Sequence, residues 1–423
     1  MAQKTPKGFR LHVGIFGRRN VGKSSLLNAV TRQFVSLVSE VAGTTTDPVE
    51  KPMELLPLGP VLFIDTAGVD DIGSLGEMRV ARTRQVFDRT DVGVIVCQAG
   101  EWDEFEERIL NELRQREVPV VVVFNKSDLG QPGERLLADL DEQKVIWMKT
   151  VANKSDGVFG LREALIKAAP DDFVNAPRII GDLISPGDMV MLVMPIDKEA
   201  PKGRLILPQV QTVRDILDSD ACCTIAKENE LTAAIEGMKE PPVMVVTDSQ
   251  AFEQVNADTP ADVQLTSFSV LFARAKGDLT AMVAGTTAID SLKDGSKVLV
   301  AEACCHHPIE DDIGRVKIPR WLRQRTGADL EFTTVQGRDF PEDLSSYSLV
   351  IHCGACMFNR REVLSRIVRC RKAGVPITNY GLTIAYSLNM FERVLQPFPD
   401  ALAVYQETRA GQEVEQQESS SVS

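Results

Sequence analysis

The stretch Gly17-Arg18-Arg19-Asn20-Val21-Gly22-Lys23-Ser24 decides the fold of the first part of the chain. It fits the pattern G-x-x-x-x-G-K-[ST] between an apolar run that ends at Phe16 and a helix-forming segment, which is the context that a phosphate-binding loop (P-loop) requires. Its glycines let backbone N–H groups close around phosphates, Lys23 offers a positive charge to the β- and γ-phosphates, and the Ser24 hydroxyl is a ligand for Mg2+. The pattern predicts a nucleotide site built on a strand, a loop and a helix.

Two later motifs, each at the end of an apolar run, complete this site. Asp65-Thr66-Ala67-Gly68 follows the run 61–64, which places Asp65 near Mg2+ and the Gly68 amide near the γ-phosphate. Asn125-Lys126-Ser127-Asp128 follows the run 118–124, and the Asp128 carboxylate can accept hydrogen bonds from both N–H groups on the guanine edge. Adenine cannot offer this pair of donors, so the motifs indicate binding of GTP.

Apolar strand-like runs alternate with helical stretches along the whole chain. Between residue 10 and about residue 169 the Val/Ile-rich runs are 11–16, 61–64, 92–97 and 118–124. This alternation predicts an α/β fold: a P-loop GTPase domain with a mostly parallel sheet flanked by helices, followed by two smaller α/β domains. The predicted divisions are 8–169, 183–261 and 262–407, with a Pro/Gly-rich linker in 170–186 and a disordered Gln/Glu/Ser-rich tail at 408–423.

Composition limits the classes of function that remain. The formal net charge of −13 argues against a nucleic-acid partner, and no apolar run approaches the roughly 20 residues that span a membrane. The polar segment Met1–Gly8 does not read as a secretory signal, so we expect a cytoplasmic protein whose eight cysteines are thiols, metal ligands or core residues. The acidic run 101–107 is expected to form a solvated helix face.

Cysteine and histidine cluster in two short stretches of the third part. Cys304-Cys305-His306-His307 follows the run 297–301, and His352-Cys353-Gly354-Ala355-Cys356 begins at the last residue of the run 349–352. Cys353 and Cys356 stand three apart at a strand-to-helix junction, where a helix N-terminus would lower the cost of thiolates.

The residues alone leave two kinds of metal centre open. Cys304, His306, Cys353 and Cys356 could form a tetrahedral zinc site, or three thiolates could hold a 4Fe-4S cluster with one iron left open. A second pair, Cys305 with His307, has the same C-x-H spacing, and Cys304 with His306 is preferred.

Residues 8–168 resemble the translation-factor-related GTPases, in the branch of the tRNA-modification and ribosome-assembly GTPases. Thr45 in Gly43-Thr44-Thr45-Thr46-Asp47 matches the switch threonine that binds Mg2+, and Thr150-Val151-Ala152 is a degenerate form of the base-contacting loop. The resemblance implies hydrolytic roles for Lys23, Thr45 and Gly68, and Mg2+ ligation by Ser24, Thr45 and Asp65. It implies a nucleotide-binding set of Asn20, Gly22, Lys23, Ser24, Ser25, Thr45, Asp65, Gly68, Asn125, Lys126, Asp128 and Ala152.

The same resemblance bears on the rate of hydrolysis. Val69 follows Gly68 and cannot orient water as a glutamine does, so intrinsic turnover is expected to be slow. In this branch an asparagine at the position of Asn20 is associated with a K+ ion that replaces an arginine finger. We therefore expect hydrolysis to be stimulated by potassium.

The whole chain resembles the FeFe-hydrogenase maturation GTPases, through the C-x-H pair, the H-C-x-x-C motif 46 positions later (352 − 306 = 46) and the segment 311–315. The resemblance implies a dimerisation domain at 183–261 and an iron–sulfur domain at 262–407. It implies a 4Fe-4S cluster on Cys304, Cys353 and Cys356, with His306 or His352 approaching the open iron.

Function and partners follow from the same resemblance. The protein would be scaffold and carrier for a transient diiron subcluster, which it delivers to the catalytic subunit of FeFe-hydrogenase after radical-SAM maturases build its ligands. A homodimer is implied, and neither nucleic acid nor a membrane is an expected partner.

Two other functions are compatible with the motifs. One is a ribosome- or tRNA-associated regulatory GTPase with a structural zinc site, and the other is an oxidoreductase that uses the C-x-x-C motif, although the thioredoxin-like setting is missing. A basic series after the H-C-x-x-C motif could dock an acidic partner or an anionic ligand, or could form a solvated helix; it comprises Arg360, Arg361, Arg366, Arg369, Arg371 and Lys372.

Overall fold

The computed structural model describes residues 6–31, 49–56, 58–66, 84–154, 156–174, 178–195, 205–303 and 312–421. The chain divides into two compact units, Met1–Ala176 and Pro177–Ser423. This division falls inside the segment 170–186 that composition marks as a linker. 

The first unit contains one six-stranded sheet in the order β2-β3-β1-β4-β5-β6. Only β2 and β3 pair antiparallel, and the other neighbours are parallel, which confirms the predicted P-loop α/β fold. Its elements are β1 (Leu11–Phe16), α1 (Lys23–Thr31), β2 (Val49–Leu55), β3 (Gly59–Asp65), β4 (Val92–Gln98), α2 (Glu104–Gln115), β5 (Val120–Asn125), α3 (Glu134–Glu142), β6 (Ile146–Lys149), α4 (Val158–Ala168) and α5 (Asp171–Val174). Residues 84–88 are also helical.

Helices cover both faces of this sheet because its central strands are apolar on both faces. Every residue of β1 and of β5 is buried. Val13 and Ile15 belong to one apolar cluster with Leu27 of α1, whereas Phe16 belongs to a second cluster with Leu113 of α2. Such continuous burial is typical of a parallel strand sandwiched between helices. The loops at the carboxyl ends of these strands are thereby fixed to a rigid base.

The second unit begins with a four-stranded parallel sheet in the order β10-β9-β7-β8. Its elements are β7 (Met189–Val193), α6 (Leu207–Asp218), β8 (Cys222–Ala226), α7 (Leu231–Glu236), β9 (Met244–Thr247), α8 (Phe252–Asp258) and β10 (Gln264–Ser267). Strand β8 lies at the edge of this sheet, and Ile225 in it is 50% exposed.

A second parallel sheet of this unit has the order β12-β11-β13-β14. Its elements are α9 (Phe268–Lys276), α10 (Leu279–Thr286), β11 (Lys297–Glu302), α11 (Ile318–Thr326), β12 (Glu331–Gln336), β13 (Leu349–His352), α12 (Arg360–Lys372), β14 (Ile377–Asn379), α13 (Tyr380–Ser387), α14 (Phe391–Leu395) and α15 (Pro399–Ser421). Helix α10 lies close against β14, since a Cβ on Gly285 would be 2.1 Å from the Ile377 carbonyl oxygen.

Helix α15 differs from the prediction for the end of the chain. Composition predicts disorder at 408–423, yet the helix continues to Ser421. Gln and Glu, which dominate this segment, are good helix formers and can extend a helix that begins on the folded core. None of the described helices is both long enough and apolar enough to cross a bilayer.

An ion pair ties β2 to the end of the helical segment 84–88 in the first unit. The Glu50 carboxylate accepts a hydrogen bond from the buried Arg89 guanidinium at 2.5 Å and also pairs with Lys7. Burial alone would raise the pKa of Glu50, but the hydrogen bonds and charges of Arg89 and Lys7 outweigh it and lower this pKa to about 2.

We expect Glu50→Gln to destabilise the first unit by about 1–3 kcal/mol at pH 7. Because the pKa of Glu50 is lower in the folded state, its contribution is full above about pH 5 and is lost as the pH falls towards 2. Thermal unfolding followed by circular dichroism between pH 3 and 7 measures the difference. Glu54→Gln is the matched control, since Glu54 is exposed on the same strand. Equal melting temperatures for the two variants at pH 7 would contradict the prediction.

Candidate functional site

The first candidate site lies at the carboxyl ends of β1, β3 and β5. Parallel pairing sets Ile15 opposite Asp65, so the loop after β1 and the motif after β3 share one edge of the sheet. The Ser24 hydroxyl donates to Asp65 Oδ2 at 3.1 Å, and the Asn125 amide donates to the Val21 carbonyl at 2.8 Å. All three motifs that the sequence assigns to one site therefore meet.

Two glycines in the P-loop are required by its backbone. Gly17 has φ +143° and Gly22 has φ +97°, both conformations that side chains rarely adopt. A Cβ would lie 2.1 Å from the Val96 carbonyl oxygen at Gly17 and 2.2 Å from Asn125 Nδ2 at Gly22. The loop can thus take its phosphate-cradling shape only with glycine at both positions.

Lys23 and Asn20 take distinct positions in this loop. The buried Lys23 ammonium donates to the Gly17 and Arg18 carbonyl oxygens, both at 2.6 Å, so it lies within the curve of the loop. Asn20 is exposed with φ +64°, a left-handed conformation that asparagine tolerates. Lys23 thus lies inside the loop that the sequence predicts to bind phosphate, and Asn20 faces solvent.

Asp65 and Ser24 fit a magnesium ion. Asp65 Oδ1 is buried and has no hydrogen-bond partner within the part of the chain that the structure describes. A carboxylate and a hydroxyl oxygen are hard ligands of the kind that Mg2+ prefers. An ion at this position would satisfy the buried oxygen.

The Asn125 amide organises the base-binding side of the site. Its Oδ1 accepts from the Thr150 hydroxyl and the Ala152 amide, each at 3.1 Å. The Asp128 carboxylate accepts a hydrogen bond from Lys154 Nζ at 3.0 Å. This hydrogen bond lowers the pKa of Asp128, so the carboxylate is ionised at neutral pH. Lys126 Nζ donates to Gln98 Oε1 at 3.0 Å.

Glu106 binds Arg18 of the P-loop, and the sequence analysis does not predict this contact. The Arg18 guanidinium of the P-loop donates to Glu106 at 2.9 and 3.1 Å and stacks 5.1 Å from the Phe105 ring centroid. Glu106 is 1% exposed, so the expected solvated face of 101–107 is wrong at this residue. Asp103 and Glu106 form a capping box at the start of α2, and that D-x-x-E signal could have predicted an inward-turned glutamate.

Several predicted site residues lie outside the described residues. They are Thr45 and Gly68 of the nucleotide site, and Cys304, Cys305, His306 and His307 of the candidate metal centre.

The second candidate site is the thiol loop, residues 353–359, which connects β13 to α12. The Cys353 amide donates to the Ala301 carbonyl at 2.9 Å, and the Cys353 sulfur accepts from the Ala303 amide at 3.0 Å. The loop is thus fastened to the end of β11, the strand that leads to Cys304. Burial raises the pKa of the Cys353 thiol to about 11, against the opposing effect of the Ala355 and Ala303 amides.

Main-chain carbonyls of the thiol loop converge on one buried ammonium group. Lys276 Nζ donates to the carbonyl oxygens of Ala355 and Cys356, each at 3.2 Å, and of Phe358 at 2.6 Å. Lys276 is 4% exposed, and burial lowers its pKa to about 8, while the Cys356 and Cys353 thiols oppose that decrease. Ala355 has φ +52°, a strained conformation that these bonds help to hold.

His352 is fully buried, and both of its ring nitrogens are occupied. Nδ1 lies 2.8 Å from the Cys353 carbonyl oxygen, and Nε2 lies 2.9 Å from an Arg366 guanidinium nitrogen. Because guanidinium can only donate, Nε2 accepts and Nδ1 carries the proton. Burial and then Arg366 lower the pKa of His352 to about 3. A bond from His352 to iron would require the ring to give up one of these contacts.

Two members of the basic series of α12, Arg366 and Arg360, bind main-chain carbonyls of neighbouring segments. Arg366 is buried, stacks between the rings of Phe340 and Phe358, and donates to the Gly337 carbonyl at 2.7 Å. Arg360 donates to three carbonyls near the end of α9, including that of Gly277 at 2.7 Å. A solvated helix is therefore wrong for these two residues, because main-chain carbonyls bind their guanidinium groups.

The thiol loop suits an anionic metal–thiolate group. Within the described residues no group of three or more His, Cys, Asp or Glu side chains is placed to hold a metal, and Cys304 lies outside them. Burial raises the pKa of both Cys353 and Cys356, but amide N–H groups and Arg366 at Cys353, and Lys276 at Cys356, oppose this rise and favour negative charge on the sulfurs. Hydrogen bonds and positive charge stabilise thiolates, as a metal or cluster requires.

Family models match three successive parts of the chain. The 50S ribosome-binding GTPase model matches residues 12–126, the hydrogen maturase F dimerization domain matches 179–277, and the hydrogen maturase F tetramerization domain matches 280–397. Together the two hydrogen maturase F models match more than half of the chain.

Two of the similar individual proteins are named GTPases. GTPase Der of Campylobacter concisus is 44% identical over 123 residues, which is 28% of this chain and 26% of Der. The tRNA modification GTPase MnmE of Paraburkholderia xenovorans is 37% identical over 163 residues, which is 38% of this chain and 34% of MnmE. The solved structure of Era from Aquifex aeolicus is 22% identical, with a TM-score of 0.32 over 58% of this chain and 97% of Era.

The chain spans about a quarter to a third of the length of these two curated relatives. The hydrogen maturase F models, in contrast, match the part of the chain that follows the GTPase domain. The predicted family is thus confirmed: the chain belongs to the hydrogen maturase F family of hydrogenase-maturation GTPases.

Proposed function

We propose that this protein hydrolyses GTP, carries a 4Fe-4S cluster, and serves as scaffold and carrier for the diiron subcluster that is delivered to FeFe-hydrogenase. The observation that carries the proposal is the thiol loop, which holds Cys353 and Cys356 near two buried cations, Lys276 and Arg366, in a chain of this family. Amide hydrogen bonds and the two cations offset part of the burial that raises the pKa of both thiols, and a bound metal would stabilise the thiolates further.

Cys353, Cys356 and Cys304 would hold the cluster. Cys304 follows β11, and β11 pairs with β13, which ends just before Cys353. When bound on three thiolates, a 4Fe-4S cluster leaves one iron open to an exchangeable ligand or to cargo. His306 is the candidate for that position, since it stands two residues after Cys304, whereas His352 is held by Cys353 and Arg366.

In the nucleotide site, Lys23 would bind the β- and γ-phosphates, with the Gly68 amide at the γ-phosphate. Ser24, Thr45 and Asp65 would hold Mg2+. Gly22, Ser25, Asn125, Lys126 and Ala152 would complete the nucleotide contacts. Lys154, which binds the Asp128 carboxylate, would exchange with the two N–H donors of guanine. The apolar side chain of Val69 cannot hydrogen-bond to the attacking water and orient it, so hydrolysis would be slow.

Asn20 would bind the K+ ion that stimulates hydrolysis. Its exposure and left-handed backbone leave the side-chain oxygen open at the phosphate end of the loop. A cation there would stabilise the negative charge that develops in phosphoryl transfer.

The proposed partners are a second copy of the chain, radical-SAM maturases and the catalytic subunit of FeFe-hydrogenase. Self-association is supported by the dimerization and tetramerization models and by the partly exposed edge strand β8. A cluster on cysteine requires reduced thiols, so we infer a reducing, cytoplasmic location. Sedimentation at several concentrations tests self-association, and a monomer throughout would contradict it.

We expect Asp128→Asn to weaken GTP binding about 100-fold, because two charge-assisted hydrogen bonds to guanine are lost and an amide N–H faces a donor. Xanthosine triphosphate, which has an oxygen in place of the amino group of guanine, should lose much less affinity. Fluorescence titration with both nucleotides measures the ratio. Asp139→Asn, on the exposed face of α3, is the control. Unchanged GTP affinity of Asp128→Asn would exclude Asp128 as the guanine-selecting residue.

We expect wild-type turnover to be about tenfold faster in KCl than in NaCl at equal ionic strength. Asn20→Ala should abolish this difference while GTP binding persists, because only the ion ligand is removed. Phosphate release in both salts measures the effect, with the exposed Asn111→Ala as control. A wild-type protein with equal rates in both salts would refute the potassium site.

We expect anaerobically reconstituted wild-type protein to contain about four iron and four sulfide per chain. Cys304→Ser, Cys353→Ser and Cys356→Ser should each lose most of the iron or change its EPR spectrum. Cys222→Ser, at an exposed position of β8, should not. Stoichiometric zinc without sulfide in the wild type would instead favour the alternative of a ribosome- or tRNA-associated GTPase with a structural zinc site.

A further inference from the structure

Helix α9 connects the first sheet of the second unit to the thiol loop. It begins directly after β10, where the Ser267 hydroxyl accepts the Val270 amide at 3.2 Å. Near this end the Ser269 carbonyl accepts from Asn379 Nδ2 at 2.9 Å, and Asn379 is the residue paired with His352 in the second sheet. The last residue of α9 is Lys276. One short helix thus contacts β10, the end of β14 and the thiol loop.

The buried ammonium group of Lys276 is surrounded by carbonyl oxygens and lies near groups that can carry negative charge. Three of its hydrogen bonds go to carbonyl oxygens of the thiol loop, which are polar but uncharged. Among the described residues, the groups near Lys276 that can carry negative charge include the sulfurs of Cys356 and Cys353 and the carboxylate of Glu362. Glu362 is already paired with Arg338 at 3.3 Å.

A buried ammonium is costly unless negative charge compensates it. The carbonyls compensate only in part, and the Cys356 and Cys353 sulfurs become negative when they are thiolate ligands. The same ammonium also fixes the carbonyls on either side of Met357, so it determines the backbone path on which Cys356 is presented. Lys276 therefore acts on both the shape and the charge of the site.

We propose that Lys276 is a positioning residue for the 4Fe-4S cluster: it holds the thiol loop in its ligating shape and raises the reduction potential of the cluster through its buried positive charge. The inference rests on the proposed function, because it needs a cluster on Cys353 and Cys356. Net charge and hydrogen bonding around the ligand sulfurs are among the factors that set the potential of an iron–sulfur cluster.

The test compares Lys276→Gln, which removes the charge but keeps an amide donor, with Lys276→Arg, which keeps the charge. Lys297→Gln is the matched control, since Lys297 is exposed at the opposite end of β11. All proteins are purified as full chains and reconstituted anaerobically with iron and sulfide. Iron and sulfide contents and the reduced fraction by EPR at fixed ambient potential are measured. Hydrogen exchange of thiol-loop amides is measured on the cluster-free proteins.

We expect Lys276→Gln to lower the ratio of reduced to oxidised cluster about tenfold at fixed potential, because one nearby positive charge is lost. Lys276→Arg and Lys297→Gln should stay near the wild type. The amides of residues 353 and 358 should exchange faster in cluster-free Lys276→Gln, which is a readout independent of the cluster.

The outcomes separate this inference from the proposed function. If the wild type takes up no iron and sulfide, the proposed function fails and the inference fails with it. If the wild type is loaded but Lys276→Gln has an unchanged potential, only the inference is overturned. If Lys276→Gln and Lys276→Arg both fail to fold, Lys276 is a structural anchor alone, and its proposed effect on the potential is overturned.

Discussion

Hydrogen bonds between parallel strands bring the ends of β1, β3 and β5 to one edge of the first sheet, and the ends of β11, β13 and β14 to one edge of the last. In the last sheet the chain turns from β11 to β12 on one side and then to β13 on the other. Loops that leave such a reversal diverge and open a crevice at the carboxyl ends of the strands. Cys353 lies in this position after β13, and Cys304 follows β11 in sequence.

Both sites place a buried lysine among main-chain carbonyls. Lys23 is held by the carbonyls of Gly17 and Arg18, and Lys276 is held by those of Ala355, Cys356 and Phe358. Carbonyl dipoles fix the position of an ammonium without neutralising its charge. Each lysine therefore retains an attraction for an anion, which under the proposed function is phosphate in the first site and metal-bound thiolate in the second.

Strands that are apolar along their whole length are the elements that the sequence predicts best. The bounds of β1 and β13 agree with their apolar runs because both strands are buried along their whole length. Strands β2 and β8 carry no such signal, since they lie at sheet edges and are partly exposed. The sequence analysis correctly predicts that the nucleotide motifs lie close together, because each motif follows the end of a predicted parallel strand.

Side chains that support the sites from distant parts of the chain could not be predicted in this way. Glu106 is 88 positions from the Arg18 that it binds, and Lys276 is 79 positions from the Ala355 carbonyl. The sequence analysis identifies Arg366 only as one member of a basic series. Its burial against His352 depends on the position of β13, which is set by the pairing of β13 with its neighbouring strands. Nothing in the local pattern distinguishes such residues from ordinary surface charges.

The structure also changes the expected source of thiolate stabilisation at the thiol loop, where burial raises the pKa of both cysteines. The sequence suggests that a helix N-terminus stabilises the thiolates, but α12 begins only at Arg360, where the Asn359 side chain caps the Glu362 amide at 3.2 Å. The field of a helix end falls off within about a turn, and here a side-chain oxygen and the acidic Glu362 already occupy it. Stabilisation must come instead from the Ala303 and Ala355 amides and from the cations Lys276 and Arg366. These groups belong to separate elements, so the chemistry of the two cysteines depends on the packing of the second unit and not on the H-C-x-x-C motif alone.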